Sequence, residues 1–463
     1  MSAIDQKITA ELLHKMSKEM ARMRVLLVDR HTTARNSLRI ILSTLGVSGV
    51  HSAGTSAEVL RQVKAYSFDI ILADYHLDDG RDGQQLLEEL RQKHLISLST
   101  VYMIITAERA YHNVVSVAEL APDDYLVKPF TAEQLQTRLA RTIYKKQFFE
   151  TVFEHLDNGA FADALACCEG LIGKEDIFLY DILRFKGEIL NVLGRYDEAK
   201  SVYQQVLENA MGPWARMGLS SSLRGLGQLE EAESLGVELI NDFPEYLAVY
   251  DFVAGVREEL GQLAEAQEVL LKAAAISPNN SVRQRLVGDI AVRNEDLETA
   301  ERAYGKVLER HRGSSLRVID DYTNLTRVMI ETGHTEGARK ITKELRRDWR
   351  GSKQGDLAAL VMDSLCANEE DEPAKAKQAL EKALVLHKEL QDQSDPKDFS
   401  QKISIDLAHA CLATGDETMA QEILGKVAAE NHEDRNIIAQ IQGVFIKTGH
   451  EESVAHCRSP EVW

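Results

Sequence analysis

The chain has no stretch approaching the ~18 uninterrupted apolar residues that a membrane-spanning helix needs. Its start, MSAIDQKITAELLHKMSKEM, lacks the apolar core of a signal peptide. A cytoplasmic protein that inserts into no membrane is the expectation. The five cysteines, Cys167, Cys168, Cys366, Cys411 and Cys457, form no CxxC pair and share no metal-ligand spacing with histidine. They read as buried free thiols. Residues 148–463 contain no Gly-rich phosphate loop, no HExxH and no GxSxG, so that part offers no catalytic constellation and the chain is not expected to be an enzyme. A basic recognition helix of the kind that reads DNA is missing too.

Positive charge is short in one region only. Residues 1–22 hold four basic and three acidic residues and residues 23–142 hold 13 and 14, so these two segments cancel. Residues 143–463 hold 37 basic and 56 acidic residues, which accounts for the whole net charge of −19. So acidic a surface repels phosphate backbones, which argues against nucleic acid and for protein partners, most naturally a basic or amphipathic segment.

What is present begins with alternation. Short β-branched runs at 25–28, 49–52, 69–73, 101–106 and 125–127 alternate with helical patterns near 33–45, 56–65, 83–94, 110–120 and 131–146. Five such units predict an α/β doubly wound, five-stranded parallel sheet with helices on both faces. Its functional crevice should lie beyond the carboxyl ends of the strands. Those ends carry Asp29, Asp74, Thr106 and the run Lys128-Pro129-Phe130. Two carboxylates, a hydroxyl and an ammonium at one edge suit Mg²⁺ and a carboxylate nucleophile for a phosphoryl group.

The ordered pieces VLLVDR, IILADYHLDDGRDG, MIITA and DDYLVKPF resemble the flavodoxin-like receiver domain of two-component response regulators, over residues 23–145. The resemblance implies that Asp74 accepts a phosphoryl group from a histidine kinase or phosphotransfer protein in a phosphorelay. It further implies that Asp29, Asp74 and the backbone carbonyl of His76 hold Mg²⁺ and that Lys128 contacts the phosphate. Thr106 and Tyr125 match the family's switch pair, and a cis peptide bond is implied between Lys128 and Pro129. Two departures stand out. Arg30 occupies the place of the family's second acid, with Arg35 fixing the alignment. The loop from Asp74 to Gly83 is one residue longer than usual, lacks its proline and adds Asp78, Asp79 and Asp82. Losing a carboxylate should weaken Mg²⁺. Arg30 could neutralise the incoming phosphoryl group, or it could bridge Asp29 and Asp74 and hold the site closed.

Beyond residue 147 one motif recurs: NGAFADAL, LGRYDEAK, LGQLEEAE, LGQLAEAQ, NEDLETAE, TGHTEGAR, EDEPAKAK, TGDETMAQ and TGHEESVA. Its small residue falls at Ala164, Ala199, Ala232, Ala266, Ala300, Ala338, Ala376, Ala420 and Val454, a period near 34. Tyr203, Leu270, Tyr304 and Leu380 follow four residues after their alanines, making an i, i+4 stripe. The pattern resembles the tetratricopeptide repeat, an all-α solenoid, with about eight to nine units over residues 146–463. The resemblance implies a surface that binds a protein segment.

Residues 131–156 contain neither proline nor glycine, which predicts a stiff passage from the last helix of the first domain, opened by a Thr131/Gln134 capping box, into the first repeat helix. Within the extension at 1–22, Ile4, Ile8, Leu12, Leu13, Met16 and Met20 suggest a helix that packs on the protein itself or on a second copy in a homodimer. The expectation is a response regulator whose output is contact with another protein. The alternative is a scaffold, independent of phosphorylation, that keeps a degenerate receiver.

Overall fold

Runs of apolar residues too short for a helix and buried on both sides can only be central strands, and three are found in the computed structural model. It describes residues 15–16, 18–77, 82–107, 122–174, 176–209, 212–312, 317–393, 400–431 and 435–449. The strands are β1 (Arg24–Val28), β2 (Gly49–Ala53), β3 (Ile70–Asp74), β4 (Val101–Thr106) and β5 (Asp124–Val127), all parallel, in the order β2-β1-β3-β4-β5. In β4 all six residues are buried, whereas the edge strands β2 and β5 are mostly half-buried. This is the signature of a parallel sheet covered on both faces.

Helices α1 (Thr32–Thr44), α2 (Ser56–Ala65), α3 (Gly83–Gln92) and α4 (Ala132–Phe148) supply that cover. Leu38 and Leu42 of α1 and Leu135, Leu139 and Ile143 of α4 build one core with Leu27, Leu72 and Met103. Val59 of α2 and Leu86, Leu87 and Leu90 of α3 build the other with Leu26, Ile71 and Tyr102. Met16 and Met20, fully buried, join the α1/α4 core, so this end of the extension packs on the protein itself. Ile4, Ile8, Leu12 and Leu13 lie outside the described residues, as does the helix expected near 110–120.

Helix α4 does begin on a capping box in which Thr131 and Gln134 bond reciprocally. Its passage into α5 (Glu150–Asp157) is interrupted by one residue, Phe149, at φ −100° and ψ 9°. Phe149 is fully buried among Phe148, Phe153, Phe178 and Phe185. The junction is thus one residue long and lies inside an aromatic cluster.

From α5 onward the described residues form helical hairpins. The eight motif alanines from Ala164 to Ala420 have no exposed surface at all. Val454 lies outside the described residues. Tyr203, Leu270, Tyr304 and Leu380 are buried beside them, all under 5 % exposed. Each hairpin turn needs a left-handed residue to close its first helix: Gly194 and Gly261 supply it with φ of 71° and 78°. Where the motif reads NED or EDE, Glu295 and Asp371 adopt the same conformation, at 59° and 56°. The chain divides into two compact units, Met1–Arg283 and Gln284–Trp463. The sheet and the first hairpins therefore share one unit. No helix among the described residues is long and apolar enough to cross a membrane.

Candidate functional site at the carboxyl edge of the sheet

Because β1 and β3 are adjacent and parallel, Asp29 and Asp74 reach the same edge. Asp29 is 1 % exposed. One of its oxygens, Oδ1, accepts from the backbone N–H of His31 at 2.8 Å, which fixes its rotamer. Lys128, just beyond β5, completes the group: its Nζ lies 2.7 Å from Asp74 Oδ1 and 3.2 Å from Asp29 Oδ2. Burial would lower this ammonium, but the two carboxylates outweigh it and hold its pKa above the ordinary lysine value. The Lys128–Pro129 peptide bond is cis. Thr106, 5 % exposed, ends the strand between β3 and β5.

The backbone around Asp74 is held tightly. A Cβ on Gly83 would lie 2.6 Å from the Asp74 carbonyl oxygen, so only glycine fits there. The Gly83 N–H donates to the Tyr75 carbonyl at 2.7 Å, and the buried Tyr102 hydroxyl donates to the Gly83 carbonyl at 2.7 Å. Asp82, in sequence one of three extra loop acids, is the N-cap of α3 and forms a capping box with Gln85. The signal was in the sequence, as Asp and Gln three apart before an apolar helix. Asp78 and Asp79 lie outside the described residues. His76 is exposed, pairs with Asp82 through a single β-bridge and stacks its ring edge-on to Tyr75.

Arg30 does not bridge Asp29 and Asp74. Its Nε donates to Nε2 of His31 at 3.0 Å on the exposed side of the loop, and Lys128 takes the bridging place. Arg30 stands in the bend beyond the end of β1, and its long side chain is held by His31 instead. Arg35 instead braces the loop from behind, donating to the carbonyls of Asp29 and Arg30 at 2.5 Å and 3.2 Å.

Tyr125 pairs in register with Ile104, two positions before Thr106 meets Val127. Its ring, like that of Tyr75, packs against the α2/α3 core. Its hydroxyl is buried and has no partner among the described residues, and burial drives its pKa well up.

Among the described residues two carboxylates share one ammonium here, and their donors are hard oxygens. Such a set fits Mg²⁺, which is commonly held by one or two carboxylates together with phosphate and water oxygens. Among the described residues no group of three or more His, Cys, Asp or Glu side chains is placed to hold a metal, so among them Asp29 and Asp74 are the two carboxylates available to a cation here. The cysteines play no part: Cys168, Cys366 and Cys411 are buried, and burial pushes each thiol up to about 12. Cys167 is half-buried, and Cys457 lies outside the described residues.

A group of charges unforeseen in the sequence stands at the other end of the same elements. Lys146 of α4, its side chain 12 % exposed, lies 2.7 Å from Asp123 and donates to the Leu98 carbonyl at 2.5 Å. Asp157 at the end of α5 accepts from the Leu98 N–H at 3.0 Å and from the Ser97 hydroxyl at 2.6 Å. No periodicity announces pairs so far apart in sequence.

The model of the response regulator receiver domain matches residues 25–140, and that of the tetratricopeptide repeat matches residues 183–210. Chemotaxis protein CheY-3 of Vibrio cholerae is 31% identical over 117 residues, which are 25% of this chain and 88% of the relative. Chemotaxis protein CheY of Pseudomonas aeruginosa is 28% identical over 119 residues, 26% of this chain and 94% of that protein. Among solved structures, a tetratricopeptide repeat protein from Parabacteroides merdae is covered to 98% by 57% of this chain, at 15% identity and a TM-score of 0.42. A receiver domain protein from Methanospirillum hungatei is covered to 96% by 27% of this chain, at 25% identity and a TM-score of 0.25. Through residues 25–140 the chain belongs to the response-regulator receiver family, and it carries a tetratricopeptide-repeat region behind that domain.

Proposed function

We propose that this chain is a cytoplasmic response regulator that takes a phosphoryl group on Asp74 and signals by binding a protein partner through its repeats. The observation that carries the reading is the Lys128 ammonium drawn between Asp29 and Asp74 at the edge of the sheet. An Asp74 carboxylate oxygen attacks the phosphorus of a phosphohistidine on a kinase or phosphotransfer protein. The new P–O bond makes an acyl phosphate as the P–N bond breaks, and the departing imidazole takes up a proton. Lys128 neutralises the phosphoryl oxygens and the Thr106 hydroxyl donates to one of them. Asp29, Asp74 and the His76 carbonyl would hold Mg²⁺, which when bound screens the same oxygens.

Output by contact rests on charge and on the repeats. The excess of acid in residues 143–463 disfavours nucleic acid and favours a basic or amphipathic protein segment. The alternative, a scaffold independent of phosphorylation, draws on Arg30 standing where an acid would strengthen the metal. Its bond to His31, away from both carboxylates, leaves the pocket to Lys128, which favours the first reading.

Reduction separates the two. After incubation with Mg²⁺ and acetyl phosphate, borohydride converts an aspartyl phosphate to homoserine, which peptide mass mapping locates. Homoserine at position 74 supports the proposal. Homoserine elsewhere, or none with a competent kinase as donor, favours the scaffold.

A further inference from the structure

Three elements carry the pocket at one end and meet again at the other. Strand β4 ends on Thr106 and begins just after the turn at residues 97–100. Strand β5 leads into Lys128 and begins just after Asp123, whose Oδ2 accepts from the Tyr102 N–H at 2.8 Å. Helix α3 starts against the Asp74 carbonyl and carries Arg91 in its last turn. Arg91 donates to the carbonyls of Ser97 and Thr100 at 2.6 Å and 3.4 Å. At ~3.3 Å per strand residue and ~1.5 Å per helix residue, each of β4 and α3 spans roughly 15–20 Å.

At this far end the repeats take hold. Lys146 binds Asp123 and the Leu98 carbonyl, and its Nζ lies 4.7 Å from the centre of the Phe153 ring on α5. Asp157 holds Ser97 and Leu98 from the end of α5. The Leu98 side chain packs on the first repeat core, around Phe149 and Phe153. A second clamp runs from Arg138 of α4 to Asp124 at 2.6 Å and to the Tyr125 carbonyl at 2.9 Å.

We propose that Arg91, Asp123, Lys146 and Asp157 form a joint that passes the state of the Asp74 pocket to the first repeats, and passes a load on the repeats back to the pocket. Phosphoryl binding acts on Thr106, Lys128 and the loop before α3. A shift of these three elements along their axes reaches the place where they meet Lys146 and Asp157, and one buried residue, Phe149, separates α4 from α5 there. The backward direction follows from linkage. The joint is the regulation of the site proposed above and rests on that reading for its physiological input.

The test uses the full chain, as wild type, Lys146→Met and Lys146→Arg, with amide hydrogen exchange as the readout. Without any phosphoryl donor, Lys146→Met is expected to speed exchange at 104–107 and 125–127 by about fivefold, at the low end of ordinary allosteric couplings, while Lys146→Arg stays near wild type. A rise confined to residues 94–100 and 146–157 overturns the joint. With Mg²⁺ and acetyl phosphate, wild type should change its exchange across 150–171, and Lys146→Met should take the same phosphoryl adduct without that change. A full response across 150–171 in Lys146→Met overturns the joint as well. No adduct on wild type sinks the Asp74 reading instead, and the joint is then decided by the first arm, which needs no phosphorylation.

Discussion

Lys128 and Asp74, 54 positions apart in sequence, meet at 2.7 Å, and the same ammonium reaches Asp29 at 3.2 Å. The pair is what turns two strand ends into a pocket. Among the described residues one ammonium is bonded to both carboxylates, and no third carboxylate joins them to hold a cation.

Restoring the missing acid should strengthen that ion. Arg30→Asp removes a cation on the exposed side of the loop and adds a carboxylate beside Asp29, so Mg²⁺ should bind about tenfold tighter or more. Calorimetric titration reads this directly. Unchanged affinity would show that position 30 has no access to the pocket.

A packing prediction concerns Tyr203. Its ring fills a niche between two helices: a Cβ on Gly187 would lie 2.5 Å, and one on Gly218 2.1 Å, from Tyr203 Cζ. Gly218→Ala should destabilise the protein by about 1–3 kcal/mol as Tyr203 is forced out. Denaturant titration checks it, and a loss below the error of the titration would mean that the niche is not tight.

Glu295 tests the turn conformation. A side chain held at φ 59° costs roughly 1–2 kcal/mol relative to the right-handed form, only partly offset by the greater freedom of glycine when unfolded. Glu295→Gly should therefore leave stability unchanged or raise it by about 1 kcal/mol. A clear loss would show that the glutamate makes a contact that outweighs its backbone.

How much of this was legible in sequence depended on the range of the interaction. The strand runs, the helical stripes and the alanines near every 34 residues are local patterns, and the strand ends named Asp29, Asp74, Thr106 and Lys128. In sequence Asp82 is one more acid of the loop, because its role as N-cap depends on where α3 begins. The direction of Arg30 depends on a strand terminus, which sequence locates to within a residue or two at best. Lys146 with Asp123, or Asp157 with Leu98, follows only from packing that no periodicity describes.

Acid should weaken the second unit through His387. The residue is 5 % exposed, and burial, aided by Lys426, lowers its imidazole to about 4. The unfolded chain, titrating near ~6.5, then binds the proton first. The contribution of the neutral ring is complete above that value and is lost as pH falls toward 4. Between pH 7 and pH 5 the loss is about 2 kcal/mol. In His387→Gln the pH dependence of the denaturation midpoint should shrink by that amount; an equal dependence in both proteins would place the proton elsewhere.

The most direct measurement is intact mass of the full chain after incubation with Mg²⁺ and acetyl phosphate, beside Asp74→Asn. One phosphoryl adduct on wild type, absent from a variant with an unchanged circular dichroism spectrum, is the predicted result. An adduct that persists in Asp74→Asn, or none on wild type even with a competent kinase as donor, would contradict the account.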